Sequence, residues 1–172
     1  MNRRHLIAAG IGAAAAGAGG GIALWRRLAD ADTEARIWSL VFPKPGGGEL
    51  RLQALRGRPV LLNFWATWCA PCITELPLLD RFQQEYGARG WQVVGLAVDN
   101  EMPVQAFLGR HPVSFVIGLA GFEGVSLSRA LGNSAGALPF SVVFDSAGNV
   151  KGRKLGVLLP DDLQRWASSV DV

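Results

Sequence analysis

An α/β fold is predicted by three features of the sequence. Residues 59–66 and 91–98 are apolar runs too continuous to have a wet face, and residues 73–86 between them have helical spacing. Two buried strands joined by a helix make a βαβ unit, which implies parallel pairing and a right-handed crossover. Near the C-terminus, residues 139–145 and 150–157 are strand-like runs joined through Ser146, Ala147, Gly148 and Asn149, the pattern of an antiparallel hairpin.

The remaining elements follow in order. Residues 29–36 are a polar linker. Residues 37–42 alternate their largest side chains (Trp38, Leu40, Phe42) and predict a strand, ended by the Pro- and Gly-rich residues 43–48. Residues 49–53 alternate again and are expected to pair with it as a hairpin. The helix over 73–86 places Ile73, Leu76, Leu79 and Phe82 on one face, and Gly87 and Gly90 bracket its end. Residues 103–110 predict a short helix with Val104, Phe107 and Leu108 inward. A short strand at 115–118 and a short helix at 124–131 come next. A last helix starts at Pro160 or Asp161, with Leu163, Trp166 and Val170 on its buried side.

Composition narrows the function. The chain has 172 residues, 49% hydrophobic and 18% charged, enough for one domain with a proper core and too apolar for disorder. The net charge of +3 invites a nucleic-acid reading, but Arg3, Arg4, Arg26 and Arg27 all flank an N-terminal leader. Without them 13 basic residues stand against 14 acidic, so no nucleic-acid partner is expected. The leader has a positive start and an Ala- and Gly-rich apolar run from Leu6 to Trp25. Twenty helical residues at about 1.5 Å each just span a hydrocarbon core of about 30 Å. Residues 1–30 are therefore expected to be an export signal or an N-terminal anchor in the inner membrane, and residues 31–172 the folded domain. Asn2, Arg3, Arg4, Leu6 and Ile7 resemble the twin-arginine export motif, and the general export route remains the alternative. Ala29 and Ala31 offer a small-x-small cleavage site, which leaves cleavage and anchoring both open. No cysteine near the leader offers a lipid attachment point.

The chain has two cysteines, Cys69 and Cys72, placed where the first buried strand ends and the helix begins. The first turn of a helix has backbone N–H groups without partners and partial positive charge, and both favour a thiolate. Cys69 is therefore expected to be exposed, with a lowered pKa. Pro71 suits the first helical turn, where its missing donor costs nothing. A closed zinc site needs four ligands, and His5 and His111 lie in the leader and in a loop. A structural disulfide closing so small a loop would remove little unfolded-state entropy. The pair points to redox chemistry.

The run Phe64, Trp65, Ala66, Thr67, Trp68, Cys69, Ala70, Pro71, Cys72, followed by Glu75 and Pro77, resembles the thioredoxin-like thiol–disulfide oxidoreductases, and more narrowly their TlpA/ResA branch. The likeness covers residues 37–170. It implies a thioredoxin-like fold, a central mixed β-sheet flanked by helices, with an N-terminal β-hairpin (37–53) and a central insertion (103–131). It implies protein-disulfide reductase activity in the bacterial periplasm, with no cofactor and no bound metal. The partners it implies are disulfide-containing exported proteins and an upstream membrane dithiol donor. Apocytochrome c, an oxidase copper site and general periplasmic disulfides all fit as substrates.

The same resemblance assigns roles. Cys69 is the nucleophile and Cys72 the resolving thiol. Pro139 matches a cis-proline set opposite the dithiol, freeing the backbone of Leu138 to pair with an incoming segment. Phe140 stands where the family usually has threonine and is taken with Trp68 and Leu138 as substrate-binding. Asn63 stands where thioredoxin has a proton-carrying aspartate, and asparagine cannot take a proton. Glu75, three residues after Cys72, matches a glutamate implicated instead in the TlpA/ResA branch; the bland reading is a first-turn acid stabilised by the helix dipole. Trp65 reads as packing, Asp99 as a turn residue and His111 as an ordinary loop histidine. Two rivals remain. A peroxiredoxin would carry threonine three residues before its cysteine, whereas Thr67 is two before Cys69. A redox-inert or copper-handling binding module would suit soft thiolates, but Met1 and Met102 are the only methionines.

Overall fold

The computed structural model describes residues 36–170. The leader, its twin-arginine-like start, the site between Ala29 and Ala31 and most of the linker lie outside the described residues. In chain order the elements are β1 (Val41–Pro43), β2 (Glu49–Arg51), β3 (Val60–Trp65), α1 (Ala70–Tyr86), β4 (Gln92–Ala97), α2 (Glu101–Arg110), β5 (Val116–Leu119), α3 (Gly124–Ala130), β6 (Phe140–Phe144), β7 (Val150–Leu155) and α4 (Pro160–Ser169).

Five strands form one mixed sheet in the order β5-β4-β3-β6-β7. β3 pairs parallel with β4, and β4 with β5. β3 pairs antiparallel with β6, and β6 with β7. The βαβ unit and the C-terminal hairpin thus form as the sequence predicts. The insertion over 103–131 supplies most of α2, edge strand β5 and α3.

The opening hairpin is shorter than predicted. β1 and β2 pair antiparallel over three residues each. Instead Arg36 and Ile37 are helical and Trp38 and Ser39 form a turn, with Ser39 N and Leu40 N donating to the carbonyls of Arg36 and Ile37. The alternation fails here because the neighbours Ile37 and Trp38 are both buried. Trp38 packs edge-on against Phe144 at 5.1 Å and donates to the Gly148 carbonyl at 3.3 Å. After β2 the chain coils into a 3-10 turn, Leu52–Leu55. The hairpin lies against β5 because Gly118 has no side chain: a Cβ there would sit 2.8 Å from Leu50 and 3.0 Å from Phe42.

Every residue of β3 is buried, and strand alternation sorts them to opposite faces. Val60, Leu62 and Phe64 join Phe140, Val142, Phe144 and the turn and hairpin residues Trp38, Leu50 and Leu52 in one apolar cluster. Leu61 and Trp65 join Val93, Ala97 and Val143 beneath α1, α2 and α4 in the other. α1 meets this second face with Cys72, Glu75, Leu76, Leu79 and Phe82. That stripe is rotated from the expected one: Ile73 is half-buried, and Glu75 lies inside. In α2, Val104 and Phe107 are buried as predicted, while Leu108 is half-buried. In the last helix segment Leu163 and Val170 are buried and Trp166 is half-buried. Trp166 rests on β7 at Gly152, where a Cβ would collide with the indole.

Candidate active site

The site gathers at one end of the sheet. β3 and β4 are parallel, so Trp65 and Ala97 end together; β6 is antiparallel and begins beside them, with Phe140 opposite Phe64. The loop carrying Cys69, the residue Asp99 after β4 and Pro139 before β6 therefore leave the same edge. Asp99 is more than a turn residue. It is buried and accepts from Thr67 N at 3.0 Å and from the Thr67 hydroxyl, with its other oxygen taking Asn100 N at 2.8 Å. That carboxylate ties the loop before Cys69 to the end of β4.

Cys69 is the N-cap residue of α1, with Pro71 in the first turn. Cys69 and Cys72 are joined in a disulfide, their Cα atoms 5.3 Å apart. Cys69 is 6% exposed and Cys72 fully buried, which corrects the expectation of an open Cys69. The reason is the tight turn after β3, in which Cys69 N donates to the Ala66 carbonyl at 3.2 Å and tucks the residue against Trp65 and Ala66. Trp68, one residue earlier, is 62% exposed. Trp65 is buried and packs on Phe107 at 5.5 Å. His111 follows α2, exposed, with its ring 4.9 Å from Phe107.

The Leu138–Pro139 peptide is cis. Pro139 is buried, and its carbonyl accepts from Gly156 N at 2.9 Å. Leu138 is half-buried between the two apolar clusters. Phe140 is corrected as a substrate contact. As the first residue of β6 its side chain turns inward, 2% exposed, with its ring 5.9 Å from Phe64. It packs the core.

Within the apolar face under α1 lies a buried polar group of Asn63, Glu75 and Ser141. Glu75, one helical turn after Cys72, is 1% exposed. Its Oε1 accepts from Asn63 Nδ2 at 2.7 Å and its Oε2 from Leu158 N at 2.7 Å. Asn63 also donates to the Ser141 hydroxyl at 3.0 Å, and among the described residues its own Oδ1 has no hydrogen-bond partner. Burial pushes the Glu75 carboxyl above its ordinary range, and the Leu158 N–H, the Asn63 amide and the Lys154 charge offset only part of that. Asn63, unable to take a proton, holds one oxygen of the Glu75 carboxyl by this hydrogen bond. Among the described residues no cluster of three or more His, Cys, Asp or Glu side chains is placed to hold a metal ion.

The chain matches the redoxin family over residues 33–166. It belongs to that family. Within it, the chain is of the TlpA/ResA type. Thiol-disulfide oxidoreductase ResA of Geobacillus kaustophilus is 30% identical over 125 residues, 72% of this chain and 70% of its own. ResA of Bacillus cereus is 28% identical over the same shares. A thiol:disulfide interchange protein of the thioredoxin family from Chlorobium tepidum TLS superposes with a TM-score of 0.65 at 30% identity, covering 76% of this chain and 91% of its own. The fold is thioredoxin-like, and the redoxin is a thiol–disulfide oxidoreductase built on Cys69 and Cys72.

Four participants in the site escaped the sequence reading. Asp99 looked like loop punctuation, and Leu158 contributes only a backbone amide. Ser141 and Lys154 come from strands distant in sequence. One signal was available: Ser141 interrupts the apolar residues of β6 at the parity of Val143, as Asn63 interrupts β3 at the parity of Leu61 and Trp65.

Proposed function

We propose that this redoxin is a protein-disulfide reductase acting on disulfide-containing exported proteins in the bacterial periplasm. The observation that carries the reading is the buried Glu75, one turn from Cys72 and held by Asn63 and Leu158 N. Cys69, as thiolate, attacks one sulfur of the partner disulfide. The partner's other sulfur leaves, takes a proton, and a mixed disulfide remains. Glu75 accepts the proton of Cys72, whose sulfur attacks Cys69 Sγ. The Cys69–Cys72 disulfide closes and the second partner thiol departs, so two electrons have passed to the partner.

The electrostatics support reduction over oxidation. Strong oxidants of this fold stabilise their reduced, thiolate form. Here the group one turn from Cys72 is a carboxyl, which disfavours a second negative charge beside it. Exposed Trp68, half-buried Leu138 and Pro139 are the proposed contacts for the incoming segment, with the Leu138 backbone pairing to it. Residues 1–30 serve as export signal or inner-membrane anchor to the domain over 31–172, and a membrane dithiol donor re-reduces the disulfide. No helix among the described residues is long and apolar enough to cross a membrane. Cytochrome c or oxidase maturation is the proposed setting.

The test is trapping. Cys72→Ser, mixed with a disulfide-bonded protein, should accumulate a covalent complex through Cys69, whereas Cys69→Ser should form none. Complexes through Cys72 alone, or through neither, would reject the assigned order.

A further inference from the structure

The face of the sheet under α1 carries one polar row. At one level across the strands stand Gly95 on β4, Asn63 on β3, Ser141 on β6 and Lys154 on β7. Residues paired in register point to the same side of a sheet, so Lys154 leaves β7 on the face that Glu75 occupies. Its ammonium does not reach the carboxylate. It lies 2.6 Å from Asp162 Oδ2, with Lys154 31% and Asp162 6% exposed at their side chains.

Asp162 and Glu75 are linked from the other side as well. Two successive amides divide between them: Leu158 N donates to Glu75 at 2.7 Å, and Leu159 N to Asp162 at 2.9 Å. Around Glu75, β3 and β6 present neutral Asn63 and Ser141, and the segment after β7 presents a backbone N–H. From β7 comes Lys154, whose charge favours the Glu75 carboxylate less than the Leu158 N–H and the Asn63 amide do. Asp162 and Arg165, on α4, pair with each other and stand behind it.

A carboxyl that burial leaves protonated cannot accept a proton from Cys72, so each group that favours its ionised form matters, the Leu158 N–H and the Asn63 amide first and the Lys154 charge after them. A counter-charge in full contact would have the opposite fault, fixing the group as a weak base. We propose that Lys154, held back by Asp162, is the positioning charge that keeps buried Glu75 able to ionise and so lets it serve as proton acceptor for Cys72; this rests on Glu75 carrying that proton. Lys154 touches neither thiol and acts through Glu75.

The experiment follows the Glu75 carboxyl carbon by 13C NMR against pH in the oxidised full chain, its signal assigned by its loss in Glu75→Gln. In Lys154→Met the titration midpoint should rise by roughly half a unit to one unit, the size of one screened charge at moderate range. Lys154→Arg keeps the charge and should leave the midpoint where it was. The rate of disulfide exchange by the reduced protein is then followed against pH. Its acid limb should move upward in Lys154→Met by the same amount, and Lys154→Met should change nothing further in a Glu75→Gln background. An unmoved midpoint in Lys154→Met, with the exchange profile altered by Glu75→Gln, would overturn the role of Lys154 and leave that of Glu75 intact. A shifted midpoint with identical exchange profiles for wild type and Glu75→Gln would overturn the proton role and leave only the electrostatic link.

Discussion

The two faces of the central sheet obey different rules. Toward the turn and hairpin, β3 and β6 present only apolar side chains, Val60, Leu62, Phe64, Phe140, Val142 and Phe144. The face under α1 is as deeply buried, yet Asn63, Ser141 and Glu75 sit within it, each 0–1% exposed. Buried polar groups lower stability unless they are satisfied, and Asn63 Oδ1 has no partner among the described residues. The contrast shows where this redoxin gives up packing: one face holds the fold, and the other places a titratable group beside the redox pair.

Substitutions on the two faces should therefore fail differently. The largest expected effect is on the apolar face. Phe64→Ala should cost about 3–5 kcal/mol of stability by urea unfolding. The folded fraction should still exchange disulfides, because Phe64 touches the core and not the thiols. Next comes the loop that joins the faces to the site. Asp99→Ala removes the acceptor of Thr67 N and Oγ1 and should cost about 1–3 kcal/mol. It should also loosen the turn before Cys69, read as faster hydrogen exchange at Thr67 N.

The polar face should show its character in pH. The folded state raises the Glu75 pKa, so between the unfolded and folded values the native protein binds more protons than the unfolded chain. This contribution to stability is fully present below the unfolded pKa and is lost as pH rises through the folded value. Glu75→Gln should flatten that fall in urea unfolding measured from pH 4 to 8. Asn63 can meet the new amide through its free Oδ1, so the variant should fold. An unchanged pH dependence would mean that Glu75 titrates as it does in the unfolded chain. The smallest effect on stability, within about 0.5 kcal/mol, belongs to Trp68→Ala on the rim. It should instead raise KM for a protein disulfide about fivefold or more while sparing a small disulfide such as oxidised glutathione.

Much of this was legible in the sequence because its signals are local. Apolar runs around a helical segment, and a turn between two strand-like runs, gave the topology. Two cysteines at a strand-to-helix junction gave the chemistry. What stayed hidden depends on register. The pairing of Asn63 with Ser141 and of Ser141 with Lys154 is set by the whole sheet, across 78 residues of sequence in the first case. Phe140 was misplaced because its position in the motif says nothing about which way strand alternation turns it. Trp38 was misread because a turn can bury two neighbours where a strand would bury one. The depth of Glu75 follows from the rotation of α1 on the sheet, which brings Cys72 and Glu75 inward and leaves Ile73 half-buried.

The direction of electron flow is the central claim, and the reduction potential of the Cys69–Cys72 couple tests it most directly. Equilibration against glutathione and dithiothreitol should place it near that of thioredoxin, about −270 mV, as suits a reductant that relies on an upstream dithiol donor. A value near −120 mV would make the protein an oxidant that introduces disulfides and would contradict the account.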